Sequence, residues 1–297
     1  MPSNPLVTFF VVAYQQPRYI EAAVRSALDQ DYSPLHVLIS DDGSTDGTAD
    51  IIRDVLAEYH GPHEVEFIVQ PHNHWVDHVN VLVPKMTGEF IVMGHGDDIS
   101  YPHRTRTMVE AWQRYGVSVV TANARVIDAQ GESSGFWVNT PNHDLSLPFF
   151  CRAMALQTCF GAGMGWSREV FDRFGPLKPG PRQVDIMLAF RGALLHGNHF
   201  IFEPLLDYRR HGENMSIDSM IEHAAEPERS LIMERHAGNI VANLCAMLEA
   251  IGDFETGGGT VPDAGVCKLS LIQNLFEQAR QWTRMRQDMA KRGIGIY

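Results

Sequence analysis

"VTFFVVAYQQPRYIEAAVRSALDQDYSPLHVLISDDGSTDGTADII", residues 7–52, carries the decisive pattern. With Leu6 it opens on a continuous apolar run rich in β-branched and aromatic residues (6–13), the mark of a strand buried on both faces. "RYIEAAVRSALDQ" (18–30) has helical spacing, and Pro17 sits where a first helical turn tolerates a missing N–H. "LHVLIS" (35–40) is a second strand, and "DDGSTDGT" leads into the helical "ADIIRDVLAEY". Strand, helix and strand at this spacing form a βαβ unit, whose crossover makes the strands parallel. The alternation continues with "EVEFIVQ" (64–70), a helix near 76–86, "EFIVMG" (89–94), the helix "RTRTMVEAWQRYG" and the strand "VSVVTANARVI". The expected class is α/β: a Rossmann-like, mostly parallel sheet flanked by helices.

Composition narrows the function. The chain has 297 residues, enough for one large α/β domain with an appendage, and 44% of them are hydrophobic, as in a globular enzyme. A formal net charge of −12 argues against a nucleic-acid partner, which calls for a basic stripe. Cys151, Cys159, Cys245 and Cys267 are widely spaced with no CxxC pair, the usage of reduced thiols in a cytosolic protein. No stretch approaches the roughly 20 apolar residues of a membrane span, and no signal peptide is recognisable. A cytoplasmic location is expected.

In open α/β sheets, ligands bind beyond the carboxyl ends of the strands. Three polar clusters fall at such ends: Tyr14-Gln15-Gln16, Asp41-Asp42-Gly43-Ser44 and Gly96-Asp97-Asp98. Neither a GxGxxG nor a GxxxxGK[ST] phosphate loop is present. The adjacent carboxylates of Asp97 and Asp98 repel each other and are costly to desolvate. Mg²⁺ or Mn²⁺, which favour hard oxygen ligands, would compensate them and neutralise a phosphate-bearing ligand. Asp41 or Asp42 would accept hydrogen bonds from a nucleoside base or ribose. Taken singly, each cluster reads as a turn or a helix cap. Together, at successive strand ends, they favour a nucleotide-plus-metal site.

These residues carry a resemblance. The opening stretch resembles that of the family-2 glycosyltransferases, inverting enzymes of the GT-A fold, whose second strand closes on Asp-Asp-Gly-Ser. "GEFIVMGHGDDISYPHR" resembles their metal-binding DxD region, "RQVDIMLAFRGALLHG" the segment of their catalytic carboxylate, and "EPLLDYRRHGENMS" their Tyr-Arg-x-His element. The match runs through about residues 5–216. The resemblance implies a base pocket lined by Tyr14 and the backbone of Val12, with Asp41 and Asp42 on base and ribose. It further implies that Asp97 and Asp98 hold Mn²⁺ or Mg²⁺ on the donor diphosphate, Asp98 more directly, with His211 as a further ligand. Asp185 is implied as the general base. The departures are His95-Gly96 before the acids, Gln15 for the usual Asn, Val12 for a common Pro, and Trp75 for a usual Gly. They bear on the sugar rather than on the reaction class.

Each residue also has a plainer reading. Asp185 would be a first-turn acid offsetting a helix dipole, and His211 a packing histidine. His72, His74 and His78 have no Cys or acid to complete a zinc set, which favours solvated imidazoles. "FGAGMGWSRE" (160–169) would line the sugar and acceptor pocket or form a tightly packed strand. A GDD-bearing polymerase would need a cationic template groove, and a nucleotidyltransferase a glycine- and lysine-rich loop. An inactive nucleotide-sugar or carbohydrate-binding protein of the same fold is the alternative.

Residues 1–216 are thus expected to form the GT-A domain and 217–297 a helical C-terminal extension. The expected donor is a nucleotide-diphosphate sugar, UDP favoured, and the acceptor a glycan or lipid-linked glycan in surface polysaccharide or glycoconjugate synthesis. In the extension, Leu231, Ile240, Val241, Leu244, Leu248 and Ile251 have amphipathic spacing, and "TGGGT" (256–260) separates them from a second, basic helix over 266–297. These helices would cover the catalytic domain, pair two subunits as a homodimer, or rest on anionic lipid as a peripheral contact.

Overall fold

A computed structural model of the chain describes residues 4–71, 75–139, 145–153, 160–178, 183–212, 214, 220–221 and 224–294. Its first half keeps the expected alternation: β1 (Val7–Ala13), α1 (Ile20–Leu28), β2 (Leu35–Asp41), α2 (Thr48–Ala57), β3 (Glu64–Val69), α3 (Trp75–Leu82) and β4 (Phe90–His95). All seven residues of β1 and of β2 are buried, so their apolar runs have no polar face to show. Then come β5 (Ile99–Ser100), α4 (Arg104–Tyr115), β6 (Val119–Ile127), β7 (Ser133–Phe136), α5 (Leu147–Ala153), β8 (Met164–Ser167), α6 (Glu169–Phe174), α7 (Val184–Leu194) and β9 (Asn198–Arg209). Gly116 ends α4 in the left-handed region, φ 61°, donating its N–H to the Trp112 carbonyl.

These strands form one nine-stranded sheet in the order β3-β2-β1-β4-β8-β6-β9-β5, with β7 beside β6. β1, β2, β3, β4, β6 and β9 run one way, and β5, β7 and β8 run against them. The sheet is mostly parallel, as expected, with short antiparallel strands inserted in its second half. β8 realises the tightly packed strand reading of 164–167: all four of its residues are buried between β4 and β6. Strand order reverses at β1, which has β2 on one side and β4 on the other. That reversal opens a crevice at the carboxyl ends of β1 and β4.

Alternation along β1 divides the core. Phe9, Val11 and Ala13 pack with Ile20, Val24, Ile52, Met108 and Val109 under α1, α2 and α4. Phe10 and Val12 face the other layer, with Val79, Phe150, Leu188 and Phe190. The C-terminal hairpin, α8 (Glu228–Thr256) and α9 (Ala264–Lys291), joins that second layer. Leu244, Met247, Ile251, Cys267 and Leu271 belong to the same hydrophobic cluster as β1 and β4. The two helices therefore cover this layer of the sheet. Burying side chains of this size stabilises the fold by about 1.5–3 kcal/mol each. Four large apolar residues on α9 face outward: Val266, Leu269, Ile272 and Phe276. Cys151, Cys245 and Cys267 are free, and Cys159 lies outside the described residues.

Candidate functional site

β4 delivers the acidic pair. Beyond His95 the chain turns at Gly96, whose N–H donates to the Val12 carbonyl at 2.9 Å. A Cβ on Gly96 would lie 2.8 Å from Ile20 Cδ1 and 3.2 Å from Ala13 Cβ, so glycine is required where β4 meets the start of α1. Asp97 and Asp98 are then carried into the crevice, 8% and 3% exposed. Asp98 Oδ1 accepts the Arg209 backbone N–H at 2.9 Å. Its Oδ2 is buried and accepts no hydrogen bond, with His95 Nδ1 3.8 Å away. Burial, and then the charge of Asp97, push the Asp98 carboxyl well above the usual carboxylate range. The Arg209 N–H and the guanidinium groups of Arg104 and Arg209 act in the opposite direction.

Asp97 is tied to the end of β9. Its Oδ2 accepts Asn214 Nδ2 at 3.1 Å and lies 3.0 Å from His211 Nε2. Its carbonyl accepts Arg209 Nε at 3.1 Å. The Arg209 guanidinium lies 4.7 Å above the Tyr19 ring, which is tilted against His211 at 4.9 Å between centroids. His95, Asp97 and Asp98 offer ligand atoms within 4.8 Å of one another. Hard carboxylate oxygens with an imidazole, one buried oxygen having no donor, fit Mn²⁺ or Mg²⁺. His211 stands one hydrogen-bond length from this trio, through Asp97.

The end of β2 supplies the second acidic pair. Asp41 Oδ2 accepts the Ser44 N–H at 2.9 Å, while its buried Oδ1 accepts no hydrogen bond. Asp42 Oδ1 lies 3.2 Å from His78 Nδ1, and His78 Nε2 lies 2.6 Å from Ser40 Oγ. All three residues are buried. Only Nε2 is hydrogen-bonded, to the Ser40 hydroxyl; Nδ1 lies at ion-pair distance from the Asp42 carboxylate without forming a hydrogen bond. Burial lowers the His78 pKa, against the raising pull of Asp42. His78 is therefore no solvated imidazole; His72 and His74 lie outside the described residues. The β1 and β2 ends are laced together: the Gln15 N–H donates to Ser44 Oγ at 2.8 Å, and the Gln16 N–H to Thr48 Oγ1 at 2.9 Å. Gln15 takes φ 53° to make this turn. Tyr14 beside it is 36% exposed, and Val12 is buried.

Asp185 enters from α7. It stands in the helix's first turn and accepts the Ile186 N–H at 2.9 Å on Oδ1, and the Gly161 backbone lies close enough to favour its ionised form. Burial pushes its pKa from 3.8 to about 6 in spite of those contacts. A Cβ on Gly161 would lie 3.4 Å from the His95 ring. The segment bearing Gly161 thus bridges Asp185 to the acidic pair. A buried arginine holds it there: Arg104 donates to the Met93 and Ala162 carbonyls, both at 2.6 Å, and to Ser100 Oγ at 2.9 Å.

Asp97, Asp98 and His211 therefore share one cluster, Asp41 and Asp42 stand at the neighbouring strand end, and Asp185 reaches the cluster through Gly161. Sequence reasoning gave no role to His95, Arg104, Arg209, Asn214 or Tyr19 and did not foresee the buried place of His78 between Ser40 and Asp42. Tyr19, His95, Arg104, Arg209 and Asn214 all lie inside the quoted motif stretches, but what each touches depends on chain crossings that have no local pattern.

Residues 8–175, more than half of the chain, match the family model described as Glycosyl transferase family 2. An uncharacterized glycosyltransferase of Nostoc sp. is 27% identical over 216 residues, covering 70% of this chain and 66% of that protein. Chondroitin synthase of Escherichia coli is 27% identical over 222 residues, 73% of this chain and 30% of that protein. The chain thus spans less than two thirds of the length of these curated relatives. A mannosyltransferase from Pyrobaculum calidifontis, in complex with GDP-Man and Mn2+, superposes with a TM-score of 0.53 at 19% identity, over 96% of this chain and 85% of that one. TarS 1–349 of S. aureus, in complex with UDP, gives 0.52 at 15% identity, over 93% and 91%. At these identities the structural likeness is one of fold.

Proposed function

We propose that this chain, which belongs to glycosyl transferase family 2, moves a sugar with inversion from a nucleotide-diphosphate donor to an acceptor hydroxyl. The observation that carries this reading is Asp98: a buried carboxylate oxygen without a hydrogen-bond donor, beside Asp97 and His95, at the crevice where strand order reverses. Asp97, Asp98 and His95, with His211 adjacent, would hold Mn²⁺ or Mg²⁺, which when bound supplies Lewis-acid neutralisation of the donor diphosphate. Asp41 and Asp42 accept from the base and ribose, and Tyr14 and the Val12 backbone border the base. The unsatisfied Asp41 Oδ1 favours a base that presents an N–H, as uracil, thymine and guanine do.

Asp185 takes the proton of the acceptor hydroxyl as that oxygen attacks the anomeric carbon and the nucleotide departs from the opposite face. A carboxylate at about 6 is mostly ionised at neutral pH and more basic than a free Asp, which suits this task. The Gly161 backbone, beside both Asp185 and the His95 ring, supports a place for it near the donor end of the site. The acceptor is a glycan or lipid-linked glycan of surface polysaccharide or glycoconjugate synthesis. No helix among the described residues is long and apolar enough to cross a membrane. Thermal-shift and hydrolysis screening of UDP-, GDP- and dTDP-sugars with Mn²⁺ tests the reading. Stabilisation with turnover of one donor class is expected; binding without any turnover would leave an inactive nucleotide-sugar binder.

A further inference from the structure

The trio at the end of β4 is mixed in its donors. Two carboxylates, Asp97 and Asp98, share it with the imidazole of His95, and their ligand atoms lie within 4.8 Å of one another. Asp98 Oδ2 is buried and accepts no hydrogen bond. His95 Nδ1 stands 3.8 Å from it, and the His95 side chain keeps 27% of its surface exposed. A hydrogen bond between the two atoms would need about 3 Å. The gap suits a shared cation instead, because two donors each about 2.1 Å from an ion stand up to about 4.2 Å apart.

The fold makes room for a ring at this place. β4 ends at His95, and the chain turns at once through Gly96 to bring both acids beside it. Across from the ring lies Gly161, where a Cβ would stand 3.4 Å from His95 Cε1 and 3.5 Å from Nε2. The next residue, Ala162, is held by the fully buried Arg104, which donates to its carbonyl at 2.6 Å. The far side is fixed as well: Asp97 Oδ2 accepts Asn214 Nδ2 at 3.1 Å and lies 3.0 Å from His211 Nε2. An imidazole here changes two things. It leaves the trio with the two formal negative charges of Asp97 and Asp98, which one divalent cation neutralises. It also puts a nitrogen into the donor set. Mg²⁺ favours oxygen ligands and gives up its waters reluctantly, whereas affinity for nitrogen-bearing sites climbs from Mn²⁺ through Co²⁺.

We propose that His95 is a metal ligand whose nitrogen selects the cation, so that the site takes Mn²⁺ or Co²⁺ in preference to Mg²⁺. This rests on the transferase reading above, which leaves the cation open between Mn²⁺ and Mg²⁺. Asp97 and Asp98 then decide whether an ion is held, and His95 decides which ion.

The probes are MnCl₂, CoCl₂ and MgCl₂, titrated calorimetrically into the full chain with and without UDP and GDP. The wild type is expected to bind Mn²⁺ and Co²⁺ at least about tenfold more tightly than Mg²⁺. His95→Asp, which makes the trio all-oxygen, should narrow that preference. Pulsed EPR of the Mn²⁺-loaded chain should show coupling to an imidazole nitrogen that persists in His211→Asn and is lost when His95→Asp is added to it. Equal Mn²⁺ and Mg²⁺ affinity in the wild type, an unchanged preference in folded His95→Asp, or a nitrogen coupling that vanishes in His211→Asn alone overturns the proposal and leaves the transferase reading standing. If His95→Asp does not fold, the His211→Asn spectrum decides. If no cation binds the wild type with or without nucleotide, the metal assignment of the transferase reading falls and this proposal with it.

Discussion

Replacing Asp185 by Asn should remove turnover and raise stability at the same time. The carboxyl titrates near 6 instead of 3.8 because burial opposes its charge. With a folded pKa above the unfolded one, the ionised group works against the fold: stability is lowest above about pH 6 and recovers as pH falls toward 4. The gap corresponds to roughly 1–3 kcal/mol at pH 7, discounted for the side chain's partial exposure. Asn keeps an oxygen to accept the Ile186 N–H, so the helix start is preserved while the buried charge is gone. Calorimetric scans should show Asp185→Asn melting on the order of 2–6 °C higher than wild type at pH 7, the difference closing near pH 4. Turnover should drop by roughly 10²-fold or more with nucleotide affinity kept. The wild-type kcat/KM should rise through pH 6, since the base is about one tenth ionised at pH 5 and about nine tenths at pH 7. An Asn variant that turns over normally, or that melts lower at pH 7, refutes the reasoning: Asp185 would then be a helix-start acid with no buried charge to lose.

Asp98→Ala should abolish the Mn²⁺-dependent part of UDP or GDP binding, by at least roughly 10²-fold, because no lysine or glycine loop takes over the diphosphate; unchanged, metal-independent affinity in calorimetry would sink the metal assignment. His78→Phe fills the same space but removes the Ser40 hydrogen bond and the contact with the Asp42 carboxylate, and about tenfold weaker nucleotide binding is expected. In a double-mutant cycle with Asp42→Ala the two losses should not add, and additive losses would show that His78 acts on the fold alone. The outward face of α9 sets Val266, Leu269, Ile272 and Phe276 beside the exposed Arg280 and Arg284. If this face rests on lipid, the full chain should sediment with phosphatidylserine vesicles at low salt and be released at high salt, and Leu269→Glu/Phe276→Glu should not sediment; no sedimentation of the wild type confines the tail to covering its layer of the sheet.

The sequence by itself determined the βαβ half of the fold, because strands buried on both faces must be apolar throughout and helices must repeat near 3.6, and both periods are local. It likewise exposed Asp41, Asp42, Asp97 and Asp98, since carboxylates at strand ends stand out against apolar runs. The helical hairpin of the tail was legible for the same reason, down to the glycine break. Its destination was not: whether Leu244 and Leu271 pack on the sheet, on a second chain or on lipid leaves the same spacing in the sequence. The short strands β5, β7 and β8 carried too few residues to show a period. What only the tertiary structure decided are the long-range pairings: Arg209 to Asp98 across 111 residues, His211 to Asp97 across 114, His78 to Asp42, and Arg104 to the Ala162 carbonyl. Such contacts depend on where strand order reverses and which chain ends converge there, and hydrophobic periodicity says nothing about either.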